Sequence, residues 1–340
     1  MRSSLLQPLL RSAALGAAAI LAIPVCAADL SARLGSMDPT TTAKHRGLVK
    51  AAELVKQRTN GKIDLRVFPS SQLGNAREMA EGVQLGALEA VIEPASFLGG
   101  FNPAVSIFDV PYIFPTDREQ SRKLREGAFG RAVLDSFRKR GFEPIALWDG
   151  GRKQMTSNKP LTSLADLSGQ RFRVMDSKIL IQQFSALGAS AVVLPFGELY
   201  TALQNGVIDA QENPLDIIEK MKFFEVQKNL LVTDHGAIVE VILFNRALMN
   251  RLSAGDREII RAAFREVAPE VSDGKAADAA KSLEFFKKRG LNVRIAGEAE
   301  RAKLRSIVYP KARDAYVAQA GAQGKALIDL YEKQLKAVTR

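Results

Sequence analysis

The 340-residue sequence contains one cysteine, Cys26, and only two histidines, His45 and His235. A single cysteine cannot form an internal disulfide, and two histidines are too few for most zinc and iron sites. Neither histidine lies in a metal-binding motif such as H-E-x-x-H. We therefore expect no metal, no other cofactor, and a fold that is held together by its hydrophobic core.

Common catalytic motifs are also missing from the sequence. It has no G-x-S-x-G segment, which would position a serine nucleophile, and no G-x-x-x-x-G-K-[ST] loop, which would bind nucleotide phosphates. Carboxylates are plentiful, but no spacing marks out a pair for acid–base catalysis. The residues therefore give no support to an enzyme.

The basic residues form no concentrated stripe, although the formal net charge is +11. Acidic residues are mixed with them throughout, and the densest basic run is Arg138-Lys139-Arg140. Proteins that bind nucleic acids usually concentrate basic residues or carry a recognisable module. We expect no nucleic-acid partner, and a mildly positive field that would help to attract small anions.

Residues 1–27 have the pattern of a cleaved signal peptide. Two arginines are their only charges, and the apolar stretch 13–25 is too short to span a bilayer comfortably. Small residues predict cleavage after Ala27, which would export the chain to the periplasm and leave it without cysteine. A membrane anchor and a lipidated Cys26 are the alternatives, and Pro24 argues against the second.

Strand and helix patterns alternate through the middle of the chain, which indicates an α/β fold and, more naturally than one large domain, two lobes. Residues 62–68 alternate like a strand, and residues 76–85 form a helical pattern that Gly86 ends. A strand pattern at 191–194 and a helical pattern at 197–205 repeat this order.

Segments 83–94 and 203–214 resemble two copies of one unit. When they are aligned, Gln, Gly, Ala and Pro coincide, and the acidic and apolar positions match in type. Ligands of open α/β sheets lie beyond the carboxyl ends of the strands. We therefore expect Glu93 and Asn213 at equivalent places in two lobes, facing one cleft.

The C-terminal third is predicted to be mainly helical. A helix should begin at a cap formed by Ser253, and Pro269 and the turn signal at 272–274 should kink or break it. A short strand is predicted at 291–295, followed by helices with a break at 321–324.

Arg171 and Arg173 lie on one face of a predicted strand, opposite Phe172 and Val174. Arginines on an edge strand are usually solvated. The alternative is that one guanidinium binds a ligand carboxylate through two parallel hydrogen bonds, which give the pair strength and orientation.

Several segments are similar to the DctP-type substrate-binding proteins of TRAP (tripartite ATP-independent periplasmic) transporters. The most specific are G-Q-R-F-R-V at 169–174, P-F-G-E-L-Y-T-A-L-Q-N-G at 195–206 and Q-E-N-P at 211–214. Further similar segments are 59–62, 108–114, 156–160 and 187–189. They occur in the family's order and span nearly the whole chain after residue 27.

The resemblance implies a two-lobed α/β periplasmic binding protein, type II-like, whose lobes are joined by hinge strands and a long helix. On that basis we assign residues 28–150 and about 236–255 to the first lobe and residues 151–235 to the second. Residues 256–340 would form the hinge-spanning helix and C-terminal helices that pack on both lobes.

The resemblance also implies a cleft that closes on a small organic carboxylate and then docks on the small and large membrane subunits of a TRAP permease. We expect a monomer and no enzymatic activity. Two alternatives stay open: a periplasmic enzyme that acts on an acidic sugar, and a binding protein that serves a sensor kinase.

Carried over position by position, the resemblance assigns five ligand-binding residues. Arg173 would bind the carboxylate together with Asn213, and Arg152 would add a second positive charge. Phe196 would pack against the body of the ligand, and His235 would line the pocket.

Two further positions, Asn75 and Glu93, resemble the sialic-acid branch of the family. Pro94 stands where that branch has a serine, which argues against sialic acid itself. A carboxylate at Glu93 would repel a second carboxylate on the ligand. We therefore favour a sugar acid or another hydroxylated monocarboxylate, with a C4-dicarboxylate as the alternative.

Overall fold

The computed structural model describes residues 29–339, so the predicted signal peptide lies outside the described residues. Helices cover both faces of one sheet. The strands are β1 (Leu30–Ser36), β2 (Ile63–Phe68), β3 (Ala90–Pro94), β4 (Phe142–Ser157), β5 (Arg171–Val174), β6 (Ser190–Val193), β7 (Ala210–Asn213), β8 (Asn229–Asn245) and β9 (Asn292–Ile295).

The α-helices are α1 (Ala43–Arg58), α2 (Ala76–Leu85), α3 (Arg118–Glu126), α4 (Ala128–Asp135), α5 (Lys178–Ser185), α6 (Leu199–Gln204), α7 (Leu215–Lys220), α8 (Arg246–Arg251), α9 (Ala254–Lys288) and α10 (Glu298–Val338). Between residues 29 and 339, none of them is long and apolar enough to cross a membrane. The strands and helices predicted from local patterns are present, with shifts of a few residues at their ends.

Two long strands, β4 and β8, run antiparallel through the centre of the sheet. The strand order is β2-β1-β3-β8-β4-β7-β5-β6, and β9 also pairs with β8. Residues 90–94 of β3 pair with residues 240–244 of β8. Residues 210–213 of β7 pair with residues 154–157 of β4. The first lobe is therefore built on β1–β3 and the second on β5–β7.

The two-lobed α/β fold with hinge strands is thus confirmed, while the residue boundaries of the lobes stay a prediction. Between the lobes, the pairing of β4 with β8 has register irregularities between Asp149 and Gly151 and between Lys153 and Met155.

The predicted repeat appears as the same topology in both lobes. β3 lies between parallel β1 and antiparallel β8, and β7 lies between parallel β5 and antiparallel β4. Gly86 and Gly206 precede these strands with φ of 83° and 67°, a left-handed conformation that glycine adopts without steric cost. The two segments therefore turn in the same way.

An arginine fixes this turn in each lobe. Arg33 on β1 donates from its backbone nitrogen and from Nε to Glu89 Oε2, at 2.8 Å in both cases. Arg171 on β5 donates from the same two atoms to Asp209 Oδ2, at 2.9 and 3.1 Å. Arg33 and Arg171 therefore occupy equivalent positions.

Helix α9 is continuous, so the break predicted at Pro269 and 272–274 is wrong. A Cβ atom on Gly274 would lie 2.8 Å from Ala43 Cβ. Glycine at this position therefore allows α9 to pack closely on α1, and does not mark a turn. Tertiary packing overrides the local turn propensity here.

The two C-terminal helices α9 and α10 contact elements of both lobes. α9 packs on α1 in the first lobe and on α7 in the second, where Lys275 Nζ donates to Asp216 Oδ2 at 2.6 Å. α10 packs on α4 and α5, and its predicted break is present at Gly321, which has φ of 59° and ψ of −141°.

Candidate ligand-binding site

A small cavity lies between the two lobes. Its polar lining comes from Asp38 and Glu240 in the first lobe, Arg173 and Asn213 in the second, and Lys275 on α9. Its apolar lining comes from both lobes and consists of Met37, Pro94, Phe97, Met175, Phe196, Ile217 and Ile238. A molecule held in this cavity would touch both lobes at once.

Arg173 contributes a buried positive charge to this cavity. It lies on β5, whose Phe172 and Val174 pack into the core of the second lobe, and only 1% of its surface is exposed. Nε and Nη2 both donate to Leu194 O, at 3.0 and 2.8 Å. Burial lowers the pKa of Arg173 to about 10, although nearby Glu212 opposes the shift. The guanidinium therefore stays charged at neutral pH.

Asn213 and Phe196 line the same cavity as Arg173. Asn213 ends β7, is buried, and donates from Nδ2 to Gln211 Oε1 at 2.6 Å. Phe196 follows β6 and packs edge-on against Phe223, with ring centroids 6.1 Å apart. The structure thus brings three of the predicted site residues together.

Arg152 lies outside this cavity. Its Nη1 donates to Phe114 O at 3.2 Å, and its Nη2 donates to Ser121 Oγ at 2.8 Å and to Pro115 O. It lines a neighbouring cavity, which shares Lys275 with the central one. The guanidinium therefore joins β4 to a loop of the first lobe and is not placed beside Arg173.

The next residue, Lys153, belongs to a buried network that sequence reasoning missed. Lys153 Nζ donates to Glu212 Oε1 at 2.7 Å, and His235 Nε2 lies 2.7 Å from Glu212 Oε2. Burial by itself would raise the pKa of Glu212, but Lys153 and His235 outweigh it and bring the pKa to about 2. His235 is held in this network and does not line the central cavity.

The signal that could have found Lys153 is the alternation of side chains along a strand. Because Arg152 and Lys153 are neighbours on β4, their side chains leave the strand on opposite faces. A basic residue at either position was therefore a candidate for the buried face.

Glu93 is fully buried next to the cavity-lining Pro94. Neither of its carboxyl oxygens has a hydrogen-bond partner among residues 29–339. Burial raises the pKa of Glu93 well above its usual range; Lys44 opposes this shift and Glu240 adds to it. The carboxyl group therefore favours its protonated form, which is able to donate a hydrogen bond.

Asn75 caps helix α2 and is exposed. Its Oδ1 accepts from Glu78 N at 3.1 Å, and Glu78 Oε2 accepts from Asn75 N at 2.8 Å, which completes a capping box. It lines an adjoining space that shares Met37, Phe97 and Phe196 with the central cavity. Asn75 is therefore not brought beside Arg173.

An acidic cluster that was not singled out in the sequence lines the cavity from the first lobe. Lys44 Nζ lies 2.8 Å from Asp38 Oδ1 and donates to Glu240 Oε1 at 2.9 Å. Lys44 and Glu240 are both buried. Burial would lower the pKa of Lys44, but the two carboxylates raise it, so the ammonium group stays charged. No local signal predicts this cluster, because only the fold brings its members together.

The family model of the bacterial extracellular solute-binding proteins, family 7 (DctP), matches residues 34–319. This range contains the cavity and parts of both lobes. The chain belongs to this family.

The relatives of this DctP-family protein are named for different ligands. It is 34% identical to the C4-dicarboxylate-binding periplasmic protein DctP of Rhodobacter capsulatus, over 79% of this chain and 81% of that protein. It is 31% identical to the 2,3-diketo-L-gulonate-binding periplasmic protein YiaO of Escherichia coli (strain K12), over 77% and 80%. The chain is also similar to a TRAP periplasmic solute binding protein from Desulfovibrio salexigens, whose crystal structure contains bound orotic acid. The two sequences are 52% identical, and the match covers 91% of this chain and 99% of that protein's chain with a TM-score of 0.89.

DctP-family proteins bind small organic acids and work with a TRAP membrane permease. DctP-family proteins are periplasmic substrate-binding proteins and not enzymes. The enzyme alternative is set aside on this ground.

Proposed function

We propose that this protein carries a planar ring with a single carboxylate, such as orotate. The relative from Desulfovibrio salexigens, at 52% identity, holds orotic acid. The apolar side chains of the cavity, Phe97 and Phe196 among them, suit a flat ring. The observation that carries the proposal is the buried, charged Arg173 in the cavity between the lobes, beside Asn213.

Arg173 would bind the ligand carboxylate through its Nη1 side. Two of its nitrogens already share Leu194 O, which fixes the plane of the guanidinium and leaves the N–H groups around Nη1 for the ligand. Two parallel charge-assisted hydrogen bonds would then orient the carboxylate. Asn213 would add a further hydrogen bond, and Phe196 would pack against the ring.

The other four predicted site residues would act on the ligand indirectly. Arg152 would hold the first-lobe loop to β4, and His235 would position Glu212 behind Arg173. Glu93 and Asn75 would shape the first-lobe side of the cavity and its adjoining space.

A sugar acid, favoured by the sequence, is the second candidate ligand. The relative named for 2,3-diketo-L-gulonate supports it, and Arg173 would bind its carboxylate in the same way. A C4-dicarboxylate is less suitable, because Asp38 and Glu240 would repel a second carboxylate in the first lobe.

We also propose that residues 1–27 direct export and are removed after Ala27, and that the mature protein is a monomer that docks on a small and a large permease subunit. The signal-peptide pattern supports the first part. Native mass spectrometry of the secreted protein measures the cleavage site and the oligomeric state together.

The test of the binding site compares Arg173→Ala with Arg171→Ala by isothermal titration calorimetry. Arg171 is a matched control, because it lies on the same strand but is exposed and paired with Asp209. We expect wild type and Arg171→Ala to bind orotate equally. Arg173→Ala should lose at least about 100-fold in affinity, since an unpaired buried charge costs about 3–5 kcal/mol.

Galacturonate and succinate are titrated into the same three proteins. If galacturonate binds more tightly than orotate, a sugar acid and not a planar ring is the ligand of this protein. Unchanged affinity of Arg173→Ala for every ligand would overturn the assignment of the site.

A further inference from the structure

The two lobes line the central cavity with side chains of opposite charge. The second lobe supplies Arg173, and the first supplies Asp38 and Glu240. Lys275 also lines the cavity, but its Nζ is bound to Asp216 Oδ2 at 2.6 Å. The first-lobe side of the cavity is therefore lined by carboxyl groups; burial raises the pKa of Glu240, and the ammonium group of Lys44 opposes that shift.

The equivalence of β1 and β5 explains why only one lobe carries the arginine. Arg33 and Arg171 make the same contacts, so Gly35, two residues after Arg33, corresponds to Arg173. A Cβ atom on Gly35 would lie 2.6 Å from Met79 Sδ, so the side chain of Met79 on α2 occupies the space next to this position. The first lobe has no guanidinium at this position to offer a second ligand carboxylate.

Glu240 has one fixed oxygen and one unpartnered oxygen. Lys44 donates to Oε1 at 2.9 Å and lies 2.8 Å from Asp38, so one ammonium group serves two carboxylates. Among residues 29–339, the buried Oε2 has no hydrogen-bond partner, and 4% of the surface of Glu240 is exposed. An unsatisfied buried oxygen is costly, and a donor on a ligand would satisfy it.

We propose that Glu240 accepts a hydrogen bond from an N–H group at the end of the ligand remote from its carboxylate, and that Asp38 and Glu240 exclude ligands with a second carboxylate at that end. This inference rests on the proposed function, because Arg173 must first orient the ligand. Arg173 would then select for one negative charge, and Glu240 for a donor opposite to it.

The first measurement uses the wild-type protein and three planar monocarboxylates in calorimetry. Orotate has an N–H donor remote from its carboxylate at N3, 3-methylorotate lacks that donor, and pyridine-2-carboxylate has no N–H group. We expect orotate to bind about 10- to 100-fold more tightly than the other two, which corresponds to one hydrogen bond to a charged group.

The second measurement compares Glu240→Gln with Glu143→Gln. Glu143 is a matched control, because it is buried on β4 and bound by two cations, Arg138 and Arg261, but does not line the cavity. In Glu240→Gln, the affinity for orotate should fall to the level of the affinity for pyridine-2-carboxylate. The affinity for pyridine-2-carboxylate should differ from that of wild type by less than about twofold. Glu143→Gln should keep the wild-type preference.

The outcomes separate this inference from the proposed function. If wild type binds none of the carboxylates, the proposed function fails. If wild type binds orotate but binds 3-methylorotate as tightly, or if Glu240→Gln weakens orotate and pyridine-2-carboxylate equally, the donor contact is overturned and the proposed function stands. The 3-methylorotate comparison needs no variant, so it decides the question even if Glu240→Gln does not fold.

Discussion

Glu212 stays ionised although burial alone would raise its pKa. Lys153 and His235 contact both of its oxygens and hold its pKa at about 2, below the ordinary value of 4.5. A carboxylate with a lowered pKa in the folded state stabilises the fold above the pKa of the unfolded chain. That contribution is lost as the pH falls through the folded-state pKa.

Between about pH 4.5 and pH 2, wild type should therefore lose about 3 kcal/mol of stability through Glu212. Glu212→Gln lacks this titrating group, so its free energy of unfolding should fall less steeply across the same window, although the variant starts less stable. Urea denaturation at several pH values measures both slopes. Equal slopes would show that Glu212 does not contribute in this way.

The residue scale also marks the limit of what the sequence predicts. Arg173 and Asn213, which line the cavity, were predicted because they lie in motifs that are continuous along the chain. Lys44 and Glu240 were not found, because their pairing spans 196 residues and exists only in the fold. Arg152 illustrates a third case: the sequence marked the correct segment of β4, but the neighbouring residue, Lys153, is the one that joins the buried network.

At the scale of elements, α1 and α9 pack so closely that glycine is required between them. A Cβ atom on Gly47 would lie 2.2 Å from Val271 Cγ2 and 3.4 Å from Trp148. Gly47→Ala should therefore destabilise the protein by about 1–2 kcal/mol, since overpacking outweighs the better helix propensity of alanine. Gly255→Ala in α9 is the control, because its Cβ would meet only Ser253 Oγ at 3.8 Å.

Thermal denaturation compares the two glycine variants. Gly255→Ala should leave the melting temperature unchanged or raise it, and Gly47→Ala should lower it. A Gly47→Ala protein as stable as wild type would mean that the helices separate without cost.

Short elements were predictable because their signals are local. The helix α2 ends at Gly86, and the strand β9 stands within one residue of its prediction at 291–295. The continuity of α9 was not predictable, because contacts with α1 and α7 decide it. The same reason explains why β4 and β8 were expected only through the family resemblance.

At the scale of the whole molecule, the polar contacts available to a ligand come from both lobes. A ligand shifts a conformational equilibrium only by binding one arrangement better than another. We expect the radius of gyration in small-angle X-ray scattering to fall when orotate saturates wild type, and to stay unchanged for Arg173→Ala at the same concentration. An equal decrease in both proteins would contradict a closure driven by this contact.

The two central strands cross from one lobe to the other without interruption. Their pairing is irregular around Asp149–Gly151 and Lys153–Met155 within that crossing, and Gly151 has φ of 97°. Hydrogen-bonded ladders on both sides are stiff, whereas irregular pairs bend. The connection between the lobes is accordingly a bendable part of one sheet and not a flexible linker. Extra residues inserted at this point would break the strand pairing instead of lengthening a linker.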